Sequence, residues 1–312
     1  MRRAARPSSR LRLTAVIVTL AAAAIMAVLV ACPPLARKQS GPVISAVPGP
    51  TQDKPQLENV PPQSHEPAPR PVQIEPEAKL AVILDDAGYS LQELQPFLEL
   101  PGPLTVAVLP NLPHSEEAAR RVLAAGKDLI LHCPMEAEGD DDPGPGTLRV
   151  GMTPAQIDAL LAADFASVPG AEGMNNHMGS RATADPALME AVLGYLKRQG
   201  LFFVDSRTTP ETVGPSFAQK LGVPFLQRNV FIDDVRSEKA IADAFGVAVR
   251  EARERGTAVV IGHVQNKAVL DILRAGQKEM ADNGVRLARL EEIMSETRIV
   301  HEGRDRTGAH AF

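Results

Sequence analysis

Short apolar runs alternate with longer amphipathic stretches from residue 79 to residue 290, and this alternation limits the fold more than any other feature. The runs at 80–84, 104–109, 129–131, 201–204 and 259–261 are too short for independent helices and lack the polar alternation of half-exposed strands. They read as strands covered on both faces. A weaker run at 173–177 and a last one at 285–290 complete the series. Between them, 115–125, 153–166, 185–198, 238–255 and 267–283 read as helices. Thr153 and Asp185 stand where N-caps belong, and Gly126, Gly200 and Gly256 where helices should stop. Repeated strand–helix units predict one α/β domain built on a parallel sheet, and about seven strands predict closure as a barrel.

The segments before this domain have a different character. Arg2, Arg3, Arg6, Arg10 and Arg12 precede an uncharged run from 13 to 32. Twenty residues of helix span about 30 Å, the thickness of a bilayer core. The basic block should stay in the cytoplasm. The expectation is a signal anchor over 1–32 in the inner membrane of a bacterial cell envelope, with the domain in the periplasm. Leu29-Val30-Ala31-Cys32 resembles a lipobox, so a lipoprotein acylated at Cys32 is the alternative, and a cleaved signal the third. Residues 33–78 hold twelve of the 27 prolines and read as a disordered Pro-rich linker. The folded domain should occupy 79–297 and a polar tail 298–312.

Charge narrows the partners. Residues 1–40 carry seven bases and no acid, leaving 26 bases against 38 acids, a net of -12, over the other 272. Such a body repels phosphate backbones, which argues against nucleic acid. Two cysteines cannot build a disulfide framework. Glu138, Asp140, Asp141 and Asp142 read as a solvated acidic turn, lacking the ligand spacing of a calcium loop.

In parallel α/β sheets the functional side chains gather at the carboxyl ends of the strands. Asp85 and Asp86 follow the first run, Asn111 and His114 the second, and His132, Cys133 and Glu136 the third. Asn175, Asn176 and His177 end the weak run, Asp205 and Arg207 follow the next, and His263 the last long one. Three histidines (132, 177 and 263) and three aspartates (85, 86 and 205) therefore converge on one rim. Imidazole with carboxylate oxygen suits a divalent metal such as Zn²⁺. Cys133, adjacent to His132 in a strand, should face the opposite side as a buried apolar residue.

Leu84-Asp85-Asp86-Ala87-Gly88 resembles the opening Asp-Asp motif of the polysaccharide deacetylases. Leu131-His132-Cys133-Pro134-Met135-Glu136 and Asn175-Asn176-His177-Met178-Gly179-Ser180 are similar to its divergent branch, together with Phe203-Val204-Asp205-Ser206 and Ile261-Gly262-His263. The resemblance implies a distorted (β/α) barrel and metal-dependent removal of acetyl groups from sugars. It implies Asp85 as general base, Asp86 and His132 as metal ligands, and His263 as general acid. Where the family has a second histidine four residues after His132, this chain has Glu136, and its usual arginine motif is replaced by Asn175-Asn176-His177. Either Glu136 binds the metal or His177 supplies the imidazole; borderline metals favour His177. Asp205 is expected to orient His263 or another ligand.

The implied substrate is a carbohydrate or an acetylated small molecule. With no Trp and two Tyr in the chain, only Tyr89 and Phe203 offer aromatic faces near the rim, which favours a short or modified sugar over a long polysaccharide. The alternative is an inactive envelope-anchored module that keeps the fold and binds glycan or protein.

Overall fold

Apolar residues fill both faces of the strand that opens the domain, β1 (Ala78–Ala87), and it lies within the sheet accordingly. The structure, a computed structural model, describes residues 78–295. After β1 come α1 (Leu91–Leu98), β2 (Thr105–Val108), α2 (Ser115–Ala124), β3 (Asp128–Met135) and α3 (Pro154–Ser167). Then follow β4 (Gly173–Met178), α4 (Pro186–Gln199), β5 (Phe202–Asp205), α5 (Gly214–Leu221), β6 (Phe225–Gln227) and β7 (Val230–Phe231). The series ends with α6 (Glu238–Arg255), β8 (Thr257–His263), α7 (Lys267–Ala275), α8 (Gln277–Asp282) and β9 (Val285–Leu287).

All strand pairs are parallel, in the order β6-β5-β4-β3-β2-β1-β8-β7, with β9 added to β1. β8 takes one edge of β1 from 79 to 85, while β9 and β2 divide the other. The two ends of the sheet, β6 and β7, are joined by Arg228 and Asn229 alone. There the Arg228 N–H donates to Asp205 O and the Asn229 N–H to Val259 O, so the linking chain reaches both edges. The sheet is thus curled, in keeping with the expected barrel, and its seam is crossed by covalent chain in place of a β6–β7 ladder.

Alternation along each strand divides the core. Ala81, Ile83, Ala107, Ile130, Val204, Val259 and Ile261 pack inside the curl, against Leu290 and Ile293. Leu80, Val82, Leu84, Leu129, Leu131 and Val260 face outward beneath the helices. Continuing the inner rows by two residues brings Asp85, His132 and His263 to the carboxyl end.

Thr153 and Asp185 cap α3 and α4 as expected, Thr153 with a reciprocal capping box to Gln156. Gly126, Gly200 and Gly256 have φ of 69°, 71° and 82°. The helix expected over 267–283 divides instead at Gly276, where a Cβ would lie 2.3 Å from the Phe245 ring. The strand expected to reach residue 290 ends at Leu287. Among the described residues no helix is long and apolar enough to cross a membrane. The expected span at 13–32, the linker as far as residue 77 and the tail lie outside the described residues.

Gly276→Ala separates propensity from packing. Alanine is the better helix former by about 1 kcal/mol, yet its methyl would press on the fully buried Phe245 ring and on Ile272 O at 2.8 Å. Overpacking of this kind costs about 1–3 kcal/mol. The expected outcome is a lower denaturation midpoint in urea; a raised midpoint would show that the ring yields freely.

Candidate active site

Two adjacent residues of a regular strand point to opposite faces, so Asp85 and Asp86 can serve one site only if the strand breaks its pattern. It does: the β1–β2 register shifts between Leu84 and Ala87, and Asp86 adopts a left-handed φ of 63°. The Gln265 side-chain amide holds this turn by donating to Asp86 O at 2.8 Å. Gly88 follows at φ 119°, where a Cβ would meet Leu109 O at 3.3 Å. Asp85 stays on the inner row, in register with His263 of β8, and the turn brings the Asp86 carboxylate around to the same side.

Asp86 Oδ1, His132 Nε2 and His177 Nδ1 form a triangle with every side 3.1 Å. His132 and Asn175 are cross-strand partners, as are Pro134 and His177, so pairing of β3 with β4 sets the two imidazoles side by side. Asp86 Oδ1 is buried and meets no polar partner among the described residues other than these two imidazoles. The Asn175 amide is oriented by its neighbours: Nδ2 donates to Asp85 Oδ1 at 2.8 Å and to Ser206 Oγ at 3.3 Å. Its Oδ1 therefore accepts from His132 Nδ1 at 2.7 Å, leaving a lone pair on His132 Nε2 in the neutral ring. Asp86 Oδ1, His132 Nε2 and His177 Nδ1 thus face one point. Ligands about 2.0–2.2 Å from a tetrahedral zinc lie about 3.3 Å apart, so the residues fit such an ion.

With no cation in the triangle, the carboxylates favour a proton on His132. Burial opposes protonation of His132, but Asp85 and Asp86 outweigh it and raise its pKa to about 9. Burial would raise the Asp86 pKa, yet His132 and His177 hold it well below the usual carboxylate range. Asp85 is pushed up by burial, with His132 and Asn175 acting against the rise.

Across the site, His263 Nε2 lies 3.8 Å from Asp86 Oδ2. Its Nδ1 lies 3.1 Å from Asp233 Oδ1, and its backbone N–H and the Asn266 side chain both donate to Asp233 Oδ2 at 3.2 Å. Burial works against the imidazolium, but Asp233 dominates and raises the pKa of His263. The Phe231 ring sits 5.3 Å from the His263 ring.

Several expectations change in detail. Asp205 does not orient His263; its carboxylate accepts from Thr212 Oγ1 and Arg207 N, both at 2.7 Å, and Asp233 holds the imidazole instead. Glu136 lies outside the donor triangle, bound to Val150 N at 2.7 Å and Arg181 at 2.9 Å, and His177, the residue favoured from sequence, stands within it. Phe203 is fully buried on the outer side, stacked on Phe225, and Phe231 is the ring at the site. Cys133 is buried on the outer face, as alternation required. His114 is exposed at the start of α2. Asp233 escaped sequence reading because β7 is two residues long and gives no apolar run.

Fold and site together define a deacetylase-type α/β domain. Residues 82–294 match the divergent polysaccharide deacetylase family, and the chain belongs to that family. An uncharacterized protein of Haemophilus influenzae is 34% identical over 207 residues, covering 66% of this chain and 74% of its own length. The uncharacterized protein YibQ of Escherichia coli K12 is 36% identical over 185 residues, or 59% of this chain and 58% of YibQ. Among solved structures, the uncharacterized protein ATU2773 from Agrobacterium tumefaciens shares the fold with a TM-score of 0.66 at 20% identity, covering 70% of this chain and 89% of that one.

The donor set is testable by metal content. Near-stoichiometric zinc is expected in the purified protein, lost in His132→Ala and in His177→Ala and kept in Glu136→Ala. Retention in His177→Ala with loss in Glu136→Ala would overturn the ligand assignment.

Proposed function

We propose that this chain is a metal-dependent hydrolase that removes acetyl groups from a sugar or glycan fragment of the bacterial cell envelope. The observation that carries the proposal is the triangle of Asp86, His132 and His177 with Asp85 on one side and His263 on the other. A zinc ion held by those three residues would supply Lewis acidity toward the acetyl carbonyl and lower the pKa of water at the site. The remaining chemistry belongs to the protein. Asp85, kept buried and steered by Asn175, accepts the proton of the attacking water. His263, charged and held through Nδ1 by Asp233, presents Nε2 to the departing amine or alcohol and protonates it. Asn175 joins base to ligand, since one amide fixes both Asp85 and His132.

An inactive glycan-binding module would need neither a buried base nor three converging lone pairs, which is why hydrolysis is the preferred reading. The basic block and the uncharged run at 13–32 support an inner-membrane anchor with the domain in the periplasm, and the Pro-rich residues 33–77 support a stalk. Acylation at Cys32 is the alternative attachment.

Asp85→Asn should lower turnover of an acetylated sugar by about 10²–10⁴-fold while zinc stays bound. Loss of zinc along with activity would instead make Asp85 a ligand. The pH profile reports on Asp233. A general acid must carry its proton, so activity persists below the His263 pKa and falls as pH rises through it. Because Asp233 raises that pKa, Asp233→Asn should move the alkaline limb to lower pH; an unmoved limb would dismiss His263 as the acid.

A further inference from the structure

Arg207 is held in a conformation that side chains seldom adopt, with φ 51° immediately beyond β5. Neighbours fix it from both sides: its N–H donates to the buried Asp205 carboxylate at 2.7 Å, and its carbonyl accepts from Arg228 Nη2 at 3.0 Å. Arg228 Nε also donates to Ser206 O at 2.7 Å, while the Ser206 N–H donates to Asn176 Oδ1 at 2.8 Å. The strand end is therefore over-determined, while the exposed Arg207 side chain makes no hydrogen bond or ion pair among the described residues and its charge acts on Asp205 from a distance.

The same network places a cation next to the site. The Arg228 guanidinium lies 4.9 Å over the Phe231 ring, whose other neighbour is the His263 ring at 5.3 Å. Neither Arg207 nor Arg228 forms an ion pair with a carboxylate among the described residues. Asp234, Asp85 and Asp205 act on Arg228 only from a distance, and burial and the charge of Arg207 both disfavour its charged form. The two guanidinium charges disfavour one another, and no carboxylate in direct contact neutralises either among the described residues. Arg228 Nε and Nη2 are engaged by Ser206 O and Arg207 O, which leaves its Nη1 and the exposed Arg207 guanidinium to meet an oxyanion.

We infer that Arg207 and Arg228 form an anion subsite beside His263, and that the substrate is an acetylated sugar bearing a carboxylate or a phosphate. The inference rests on the hydrolase reading for the identity of the site and adds the class of substrate. It also agrees with the scarcity of aromatic faces, since a charged group can anchor a short sugar that has no ring to stack on.

Calorimetric titration of the zinc-loaded full-length protein tests it, with N-acetylglucosamine, its 6-phosphate and N-acetylmuramic acid as probes. At least one anionic probe should bind about tenfold more tightly than the neutral sugar, as charge-assisted hydrogen bonds imply. Whichever anion gains identifies the group. That advantage should shrink in Arg207→Gln, whose exposed side chain makes no contact needed for folding, and in Arg228→Gln. Equal binding of neutral and anionic sugars, or a preference that survives in Arg207→Gln, would overturn the subsite; survival would place the anion on the metal. Preference without hydrolysis would sink the hydrolase and spare the subsite, and hydrolysis without preference the reverse.

Discussion

A single left-handed residue at the end of β1 underlies the whole site. Were Asp86 to continue the strand, its carboxylate would point outward beneath the helices with Leu84, and His132 and His177 would face an empty corner. The register shift after Leu84 and the φ of 63° at Asp86 turn two consecutive carboxylates onto one side of the sheet. Gln265 clamps the turn from the loop after β8, and Gly88 relaxes the chain behind it. Left-handed backbone costs a non-glycine residue about 1–2 kcal/mol, and the central position of β1, paired to β8, β2 and β9, gives the fold the means to hold it.

The inner row of the sheet then distributes roles by depth. Ala81, Ile83, Ile130 and Ile261 close the interior below, so Asp85 and His132 stand at the top of an apolar plug with almost no water around them. Burial of that kind weakens the charged form of each group, and the groups answer by pairing: Asp85 through Asn175, His132 through Asp85 and Asp86. Asn175 occupies the region where the sequence lacks the arginine usual in this family. A neutral amide there holds the Asp85 carboxylate without adding a charge, and its carbonyl also accepts from His132 Nδ1, which a guanidinium has no acceptor to do.

Much of this was legible beforehand because it depends on period. Buried parallel strands show as apolar runs and capped helices as Thr153 and Asp185, so most elements and the rim residues followed from counting. What depends on few residues did not. α1 carries Pro96 and α5 is eight residues long, and β6 and β7 have three residues and two, below the length at which alternation becomes a signal. Asp233 gives no sequence signal for that reason, whereas Asp205, standing after a clear run, does. Donor type favours His177 over Glu136, but what sets His177 beside His132 is the β3–β4 register, which no local pattern contains.

Among the described residues two buried carboxylate oxygens, Asp164 Oδ2 and Asp86 Oδ1, have no amide, hydroxyl or backbone donor, and their surroundings contrast. Asp164 on α3 is enclosed, with Oδ1 held by Asn111 at 2.8 Å and Oδ2 without a partner. Burial raises its pKa to about 7 against the Asn111 hydrogen bond, so protonation competes with the charged form near neutral pH. Asp86 has the same defect but meets two imidazoles, and they hold its pKa low. Asp86 thus keeps its charge, and the corner it shares with two imidazoles attracts positive charge, whether a proton on His132 or a metal ion. The apolar interior that lifts the Asp164 pKa leaves the Asp86 corner charged and suited to a cation, and the difference lies in the pairing of β3 with β4.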